Sequence, residues 1–481
     1  MKRTEKATLA DGRQVEFVID PDKTMEGGMK EVFFTPDKSS VLCFFKDQGD
    51  AARKMRLEKV LQQFNPTLDP QTGEYFKQLF CWPTAIVVAP RLGIMTPTYP
   101  VNYFFKDGPW SGKDKEGTWF VRKTAGGKPF RDMLPDSEKG TWLNFISICI
   151  GISRAVWRLH AAGLAHSDLS HKNVLIDPTT GRAIVIDIDS LVVPGLFPPD
   201  VLGTKGYIAP EVLGTMHLKI NDPKRRHPCA ATDQHALSVL IYQYLLFRHP
   251  LEGPRVNSAV SAEEDDLLSF GAKALYVEHP TDQSNRPKDL KHTSNVLGPH
   301  IETVFKQAFV DGLHSPHLRP IAATWLTALL KTWDLLHPCS NPSCSHKLFV
   351  LHDAKSLRCP FCNTKVAGPV YRLKLRKESR PGQWMPDGEV VLYNGKCLHR
   401  WHVFDDVTNN ERLKPDEKKS VADAQAYQGN WLFINRSIDG LMSPGGNRVP
   451  PGQAIQLKHG ISFRLSSGAH GRMAEIEQLQ A

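Results

Sequence analysis

One stretch constrains this chain more than any other. It reads His166-Ser167-Asp168-Leu169-Ser170-His171-Lys172-Asn173-Val174-Leu175-Ile176-Asp177, then a glycine turn, then Ile184-Val185-Ile186-Asp187. Three polar side chains, Asp168, Asn173 and Asp187, punctuate apolar runs at intervals that a short hairpin would bring together. A surface turn between strands could carry the same residues if the stretch stood alone. Downstream, however, come Gly203-Thr204-Lys205-Gly206-Tyr207-Ile208-Ala209-Pro210-Glu211, an apolar helical run opened by Asp233, and Arg319-Pro320. Together they leave little room for coincidence.

The trio suits phosphoryl transfer. Asp168 can take or orient a hydroxyl proton, Asn173 can hold a metal ion, and Asp187 can chelate the metal that bridges phosphates. With the GT-x-x-Y-x-APE segment, the chain resembles the eukaryotic-like protein kinase fold over roughly residues 12–336. The resemblance implies a serine/threonine kinase using ATP with Mg²⁺ or Mn²⁺. It makes Asp168 the catalytic aspartate and Asn173 and Asp187 the metal ligands. Lys46, ending a strand, becomes the lysine on the α- and β-phosphates, with Glu58 of the next helix its ion-pair partner. Gly27 and Gly28 stand for the phosphate-covering loop, and Met95 joins the nucleotide-binding set. Glu211 and Arg319 resemble the ion pair that fastens the activation segment, and His166 and Asp233 resemble framework residues. Thr204, placed as in serine/threonine kinases, favours those acceptors over tyrosine.

The sequence departs from that pattern in several places. Two glycines replace a glycine-rich loop, leaving fewer free backbone N–H groups for phosphates. Ser167 stands where many regulated kinases have arginine, so no cation is there to clasp a phosphorylated activation segment. Ser170 replaces an expected lysine, and Lys172, two residues on, can supply that charge to the γ-phosphate. The metal-binding tripeptide is Asp187-Ile188-Asp189, without phenylalanine or glycine. These departures keep a second reading open, a pseudokinase scaffold that binds nucleotide and displays its tail; the retained Lys46, Asp168, Asn173 and Asp187 favour an enzyme.

At 481 residues the chain predicts about three domains. Residues 12–46 read as short strands, 50–64 as a helix, 85–89 and 94–95 as strands, and 141–162, 233–247 and 301–336 as helices. The expected organisation is α+β and multidomain: a bilobal protein-kinase fold with lobes 1–105 and 106–336, a zinc ribbon at 337–368, and an FHA-like β-sandwich at 369–481. Cys339, Cys344, Cys359 and Cys362 form two knuckles 14 residues apart, which read as a structural Zn²⁺ site with no open position for water. His337, His346 and His352 lie nearby but are not needed as ligands. Residues 431–465 resemble the second half of a forkhead-associated domain, a phosphothreonine reader. Its loop motifs are not evident, and Arg400, Asn435, Arg436 and Ser437 are the nearest candidates. Phosphopeptide reading and simple partner docking both stand.

Sixty Lys+Arg against 51 Asp+Glu give a formal charge of +9, read as a solvated basic surface, since no nucleic-acid module appears. The basic run Lys224-Arg225-Arg226-His227 is read as a solvated loop or a reader of an acidic substrate or a phosphate. Without a membrane span or signal peptide, the expected location is cytoplasmic. The domain order resembles bacterial kinases of tellurium-resistance-associated operons. That implies a von Willebrand-type protein and a cognate phosphatase as partners, besides the protein substrates.

Overall fold

In the computed structural model, residues 2–21, 25–26, 30–47, 51–123, 127–193, 203–219 and 221–479 are described. The chain divides into two units, residues 1–291 with 304–326, and residues 292–303 with 327–481.

The first unit begins with seven antiparallel strands: β1 (Arg3–Leu9), β2 (Gln14–Ile19), β3 (Met25–Glu26), β4 (Lys30–Phe34), β5 (Ser40–Phe45), β6 (Ala85–Ala89) and β7 (Gly93–Pro97), in the order β2-β1-β6-β7-β5-β4-β3. The sheet curls until β2 meets β4 through Val18 and Phe34, which closes a small barrel. Ala7, Leu9, Phe17, Leu42, Phe44 and Val87 fill it, with Phe33 and Met95 packed alongside. Phe17, Phe33 and Phe44 form a triangle of rings with centroids 5.2–5.8 Å apart, a geometry in which edges meet faces. Strand β1 went unread in the sequence, because its alternating Arg3-Thr4-Glu5-Lys6 half is too polar to stand out.

Alternation has a second consequence. The residues of β4 and β5 that do not enter the barrel are Lys30, Val32 and Phe34, in register with Phe45, Cys43 and Val41. Helix α1 (Ala51–Leu61) buries Arg56, Leu57 and Val60, and the Trp82 indole N–H donates to the Val60 carbonyl at 2.9 Å.

The larger part of this unit is helical. Helix Trp142–Ala161 is capped by Thr141, whose hydroxyl accepts from the Asn144 N–H. Helix Ala230–Leu246 is buried along nearly its whole length, as expected of a segment apolar on all faces. The hairpin β8 (Val174–Asp177) and β9 (Arg182–Val185) turns at Gly181, whose φ of +73° needs glycine and where a Cβ would meet Ser147 at 2.9 Å. Lys115, 2% exposed, pairs with Glu138 at 2.7 Å and lies 3.8 Å from Asp177, which ties the stretch 106–140 to that hairpin. The predicted helical stretch 301–336, of which 304–326 belong to this unit, resolves into Gly298–Lys306, a wide turn at Gln307–Asp311 and helix Ala322–Asp334.

In the second unit a short hairpin, β10 (Leu336–Pro338) and β11 (Leu348–Val350), leads into the cysteine segment. Eight strands follow: β12 (Val370–Arg380), β13 (Gln383–Leu392), β14 (Lys396–His399), β15 (Ser420–Tyr427), β16 (Asn430–Asn435), β17 (Ala454–Gln456), β18 (Ser462–Arg464) and β19 (Met473–Leu479). They form two four-stranded antiparallel sheets, β13-β12-β19-β18 and β14-β15-β16-β17. Leu373, Val390 and Ala474 from one sheet and Leu398, Ala422, Phe433 and Ile455 from the other share a single apolar core, the packing of a sandwich. No helix among the described residues is long and apolar enough to cross a membrane.

Candidate active site

The loop 166–173 is held from below by Asp233. Its carboxylate accepts from the backbone N–H groups of His166 (2.7 Å) and Ser167 (3.3 Å) and lies 3.1 Å from His160 Nε2. The His166 ring reaches the Ile186 carbonyl at 2.9 Å, and the Ile186 N–H donates to the Asn173 carbonyl at 3.0 Å. These bonds bring the strand end carrying Asp187 beside Asn173. Asn173 Nδ2 donates to the backbone oxygen of Asp168 (2.7 Å) and to its carboxylate (2.9 Å), and the Thr204 hydroxyl donates to the other carboxylate oxygen at 2.8 Å. Asp187 sits at φ +62°, the left-handed region that aspartate tolerates better than most residues. Asp168, Asn173, Asp187 and Thr204 therefore share one site.

The cation of this site is Lys30. Its Nζ lies 2.6 Å from Asp187 Oδ1 and 2.7 Å from Asp189 Oδ1, and 5.8 Å from the Phe45 ring centroid. Burial works to discharge Lys30, but the attraction of Asp189 and Asp187 and their hydrogen bonds outweigh it, and its pKa is raised. Burial likewise works to raise Asp187, and Lys30 outweighs it, so that carboxyl is held below its usual range. Cys43, on the same face, has its thiol pushed up to about 12, chiefly by burial.

The other expected residues stand as follows. Lys46, expected at the α- and β-phosphates, lies one residue beyond β5, in the alternation of Leu42 and Phe44, and is exposed. Glu58 is exposed on α1, because the buried face of that helix carries Arg56, Leu57 and Val60. Met95 packs with Leu42 and Phe44 in the barrel, and its neighbour Thr96, in register with Val41, takes the other face. Gly27 and Gly28 lie outside the described residues. Lys172 is exposed on the loop, two residues beyond the buried Ser170. The Lys30 signal was present in the sequence as strand parity, and Asp189 as the second carboxylate of the tripeptide.

Glu211 and Arg319 meet in a two-pronged ion pair at 2.8 and 2.7 Å. Arg319 also donates to the carbonyls of Gly312, Ala231 and Leu313. These donors leave its guanidinium fully used, a framework role.

The four sulfurs of Cys339, Cys344, Cys359 and Cys362 lie within 4.8 Å of one another, with Cys339–Cys362 at 3.5 Å and Cys344–Cys359 at 3.9 Å. A tetrahedral ion about 2.3 Å from each thiolate separates the sulfurs by about 3.8 Å, so the residues present fit zinc. In the tail, Asn435 is wholly buried and its side chain serves the backbones of Ile438 and Val449. Arg436 is paired with Asp423. Asn435 is not available to a phosphate in this arrangement; Arg400, Arg436 and Ser437 are exposed.

In comparison with known proteins, the family model described as a protein kinase domain matches residues 111–308. Serine/threonine-protein kinase WNG2 of Toxoplasma gondii is 31% identical over 127 residues, 26% of this chain and 22% of that protein. Serine/threonine-protein kinase PknA of Mycobacterium tuberculosis is 27% identical over 143 residues, 28% of this chain and 30% of that protein. A probable bifunctional tRNA threonylcarbamoyladenosine biosynthesis protein of Methanothermobacter thermautotrophicus is 35% identical over 74 residues, 15% and 12% of the two chains. The chain thus spans less than a third of the length of each of these relatives. A solved Toxoplasma gondii rhoptry antigen kinase domain aligns with a TM-score of 0.41 at 13% identity, over 69% of this chain and 85% of that one.

Proposed function

We propose that the chain is an active serine/threonine protein kinase, moving the γ-phosphate of ATP to protein hydroxyls. The observation that carries this reading is the Asp168 carboxylate held between Asn173 Nδ2 and the Thr204 hydroxyl, beside the strand end bearing Asp187. The names of the WNG2 and PknA relatives support the acceptor class.

Asp168 receives the proton of the acceptor hydroxyl. Both of its oxygens are hydrogen-bonded, which fixes the carboxylate's orientation before substrate arrives. Asn173 uses its Nδ2 on Asp168 and leaves its Oδ1 for a cation, while Asp187 contributes a carboxylate, so the two form an oxygen donor set suited to Mg²⁺ or Mn²⁺. The metal, when bound with ATP, neutralises charge on the phosphates. Lys172, exposed on the same loop, supplies a cation for the γ-phosphate.

The four-cysteine segment we read as a zinc ribbon of purely structural role, and the sandwich as an FHA-like module that recruits a protein partner. Because Asn435 is engaged internally and Arg436 already pairs with Asp423, docking without phosphate dependence is the favoured form of that role.

The deciding experiment incubates the full-length protein with labelled ATP and Mg²⁺ or Mn²⁺, alone and with a generic basic protein, and maps phosphosites by mass spectrometry. Phosphoserine or phosphothreonine is expected. Asp168→Ala should bind ATP and lose turnover by orders of magnitude. A parent protein that binds ATP yet yields no phosphosite is a scaffold, and the proposal fails.

A further inference from the structure

The lysine that meets Asp187 comes from β4 and not from the end of β5. On the face of β5 directed away from the barrel, where Val41, Cys43 and Phe45 stand, there is a thiol and no cation; Lys46 follows the opposite parity. The neighbouring strand supplies the charge instead, through Lys30, which lies in register with Phe45 and reaches both Asp187 and Asp189.

Asp189 is the second half of this arrangement. Its side chain is 4% exposed, and its Oδ1 lies 2.7 Å from Lys30 Nζ. It stands two residues after Asp187, within the short helical turn Ile188–Ser190, so one rigid turn holds both the metal-ligand carboxylate and the lysine's anchor. Helix α1 offers no rival, since Glu58 is exposed.

We infer that Lys30 is the cation that receives the nucleotide's phosphates and that Asp189 is its positioning residue, so that the lysine–acid pair joins β4 to the 187–189 turn and bypasses helix α1. The inference rests on the phosphotransfer reading above. Lys30 reaches both carboxylates, so Asp187 can turn to a metal while Asp189 retains the lysine. A displacement of α1 then leaves the pair intact.

Two measurements on the full-length protein test this. The first uses an acyl-phosphate derivative of ATP. A lysine ε-amine attacks its acyl carbon, an N–C bond forms, the bond from that carbon to the phosphate oxygen breaks, ATP departs and the amine gives a proton to water. Peptide mapping should find Lys30 acylated and protected at least tenfold by excess ATP. ATP-protected label on Lys46 with Lys30 unmodified overturns the relocation and leaves the kinase reading standing; no ATP-protected lysine anywhere overturns both.

The second compares ATP and adenosine affinities by calorimetry. Lys30→Met and Asp189→Asn should each weaken ATP at least tenfold with adenosine binding unchanged, Asp189→Glu should recover part of the loss, and Lys46→Met and Glu58→Gln should match the parent. Unchanged ATP affinity in Lys30→Met sinks the inference. Equal loss of ATP and adenosine in Asp189→Asn would assign Asp189 to the fold alone and remove its positioning role.

Discussion

Thr204 and Asp168, 36 residues apart, are joined by a 2.8 Å hydrogen bond from hydroxyl to carboxylate. On the proposed kinase reading, this bond ties the segment that would receive a substrate to the group that would take its proton. A hydrogen bond to a charged group contributes about 1.5–3 kcal/mol, equivalent to roughly a ten- to hundredfold change in rate. Thr204→Val should lower kcat by that factor and leave nucleotide affinity unchanged, and Thr204→Ser should restore most of the rate. Steady-state phosphorylation of a generic substrate is the measurement, and a fully active Thr204→Val protein would detach this hydroxyl from catalysis.

Arg319 is a stability determinant. Its side chain is 1% exposed and meets Glu211, so removing it strands a carboxylate and three carbonyls. Breaking one partner of a buried pair costs about 3–5 kcal/mol. Arg319→Met should therefore lower the urea midpoint of the first unit sharply, and a midpoint equal to the parent's would show the pair to be dispensable.

Buried histidines make the fold acid-sensitive. His171 is lowered to about 3, mainly by burial and then by the charges of Arg122 and Lys172, and neither ring nitrogen has a hydrogen-bond partner. His235, also buried, is lowered well below its usual value. Such a group stays neutral in the folded chain while the unfolded chain takes up a proton near pH 6.5. Its contribution is complete above that pH and is lost as pH falls toward about 3 for His171. Each histidine should cost about 1.4 kcal/mol per pH unit below 6.5. His171→Phe, which keeps a ring against Tyr207, should flatten the fall in urea stability between pH 6.5 and 5 by one proton's worth. An unchanged slope would mean that His171 titrates normally in the folded protein.

What the sequence made legible follows from how local each signal is. Asp168, Asn173 and Thr204 lie within one loop and the segment it bonds to, and the resemblance located them from spacing alone. The two knuckles were likewise local, with two cysteines in each. Lys46 and Lys30 differ only in which side of a strand they occupy, and that depends on a register created by closure of β2 onto β4. A terminal lysine on an apolar strand invites the simpler assignment. Glu58 is the only carboxylate inside its helix, but helix rotation is set by Leu57 and Val60, whose burial turns it outward.

The cysteine segment gives the last prediction. Cys344 and Cys359 are buried and Cys339 and Cys362 half-buried, and the four thiols converge from two separate turns. Four thiolates that close confer little stability unless a cation neutralises them, whereas structural zinc contributes about 10–16 kcal/mol of apparent binding free energy in small sites. Elemental analysis of protein purified without chelator should find about one zinc per chain. Stripping it with a strong chelator at neutral pH should expose the 337–368 segment to proteolysis while ATP binding persists, because none of the residues around Asp168 belongs to that segment. Cys359→Ser, at the most buried of the four positions, should mimic the stripped protein. Zinc-free protein with an unaltered proteolytic pattern would reduce the cluster to four neighbouring thiols.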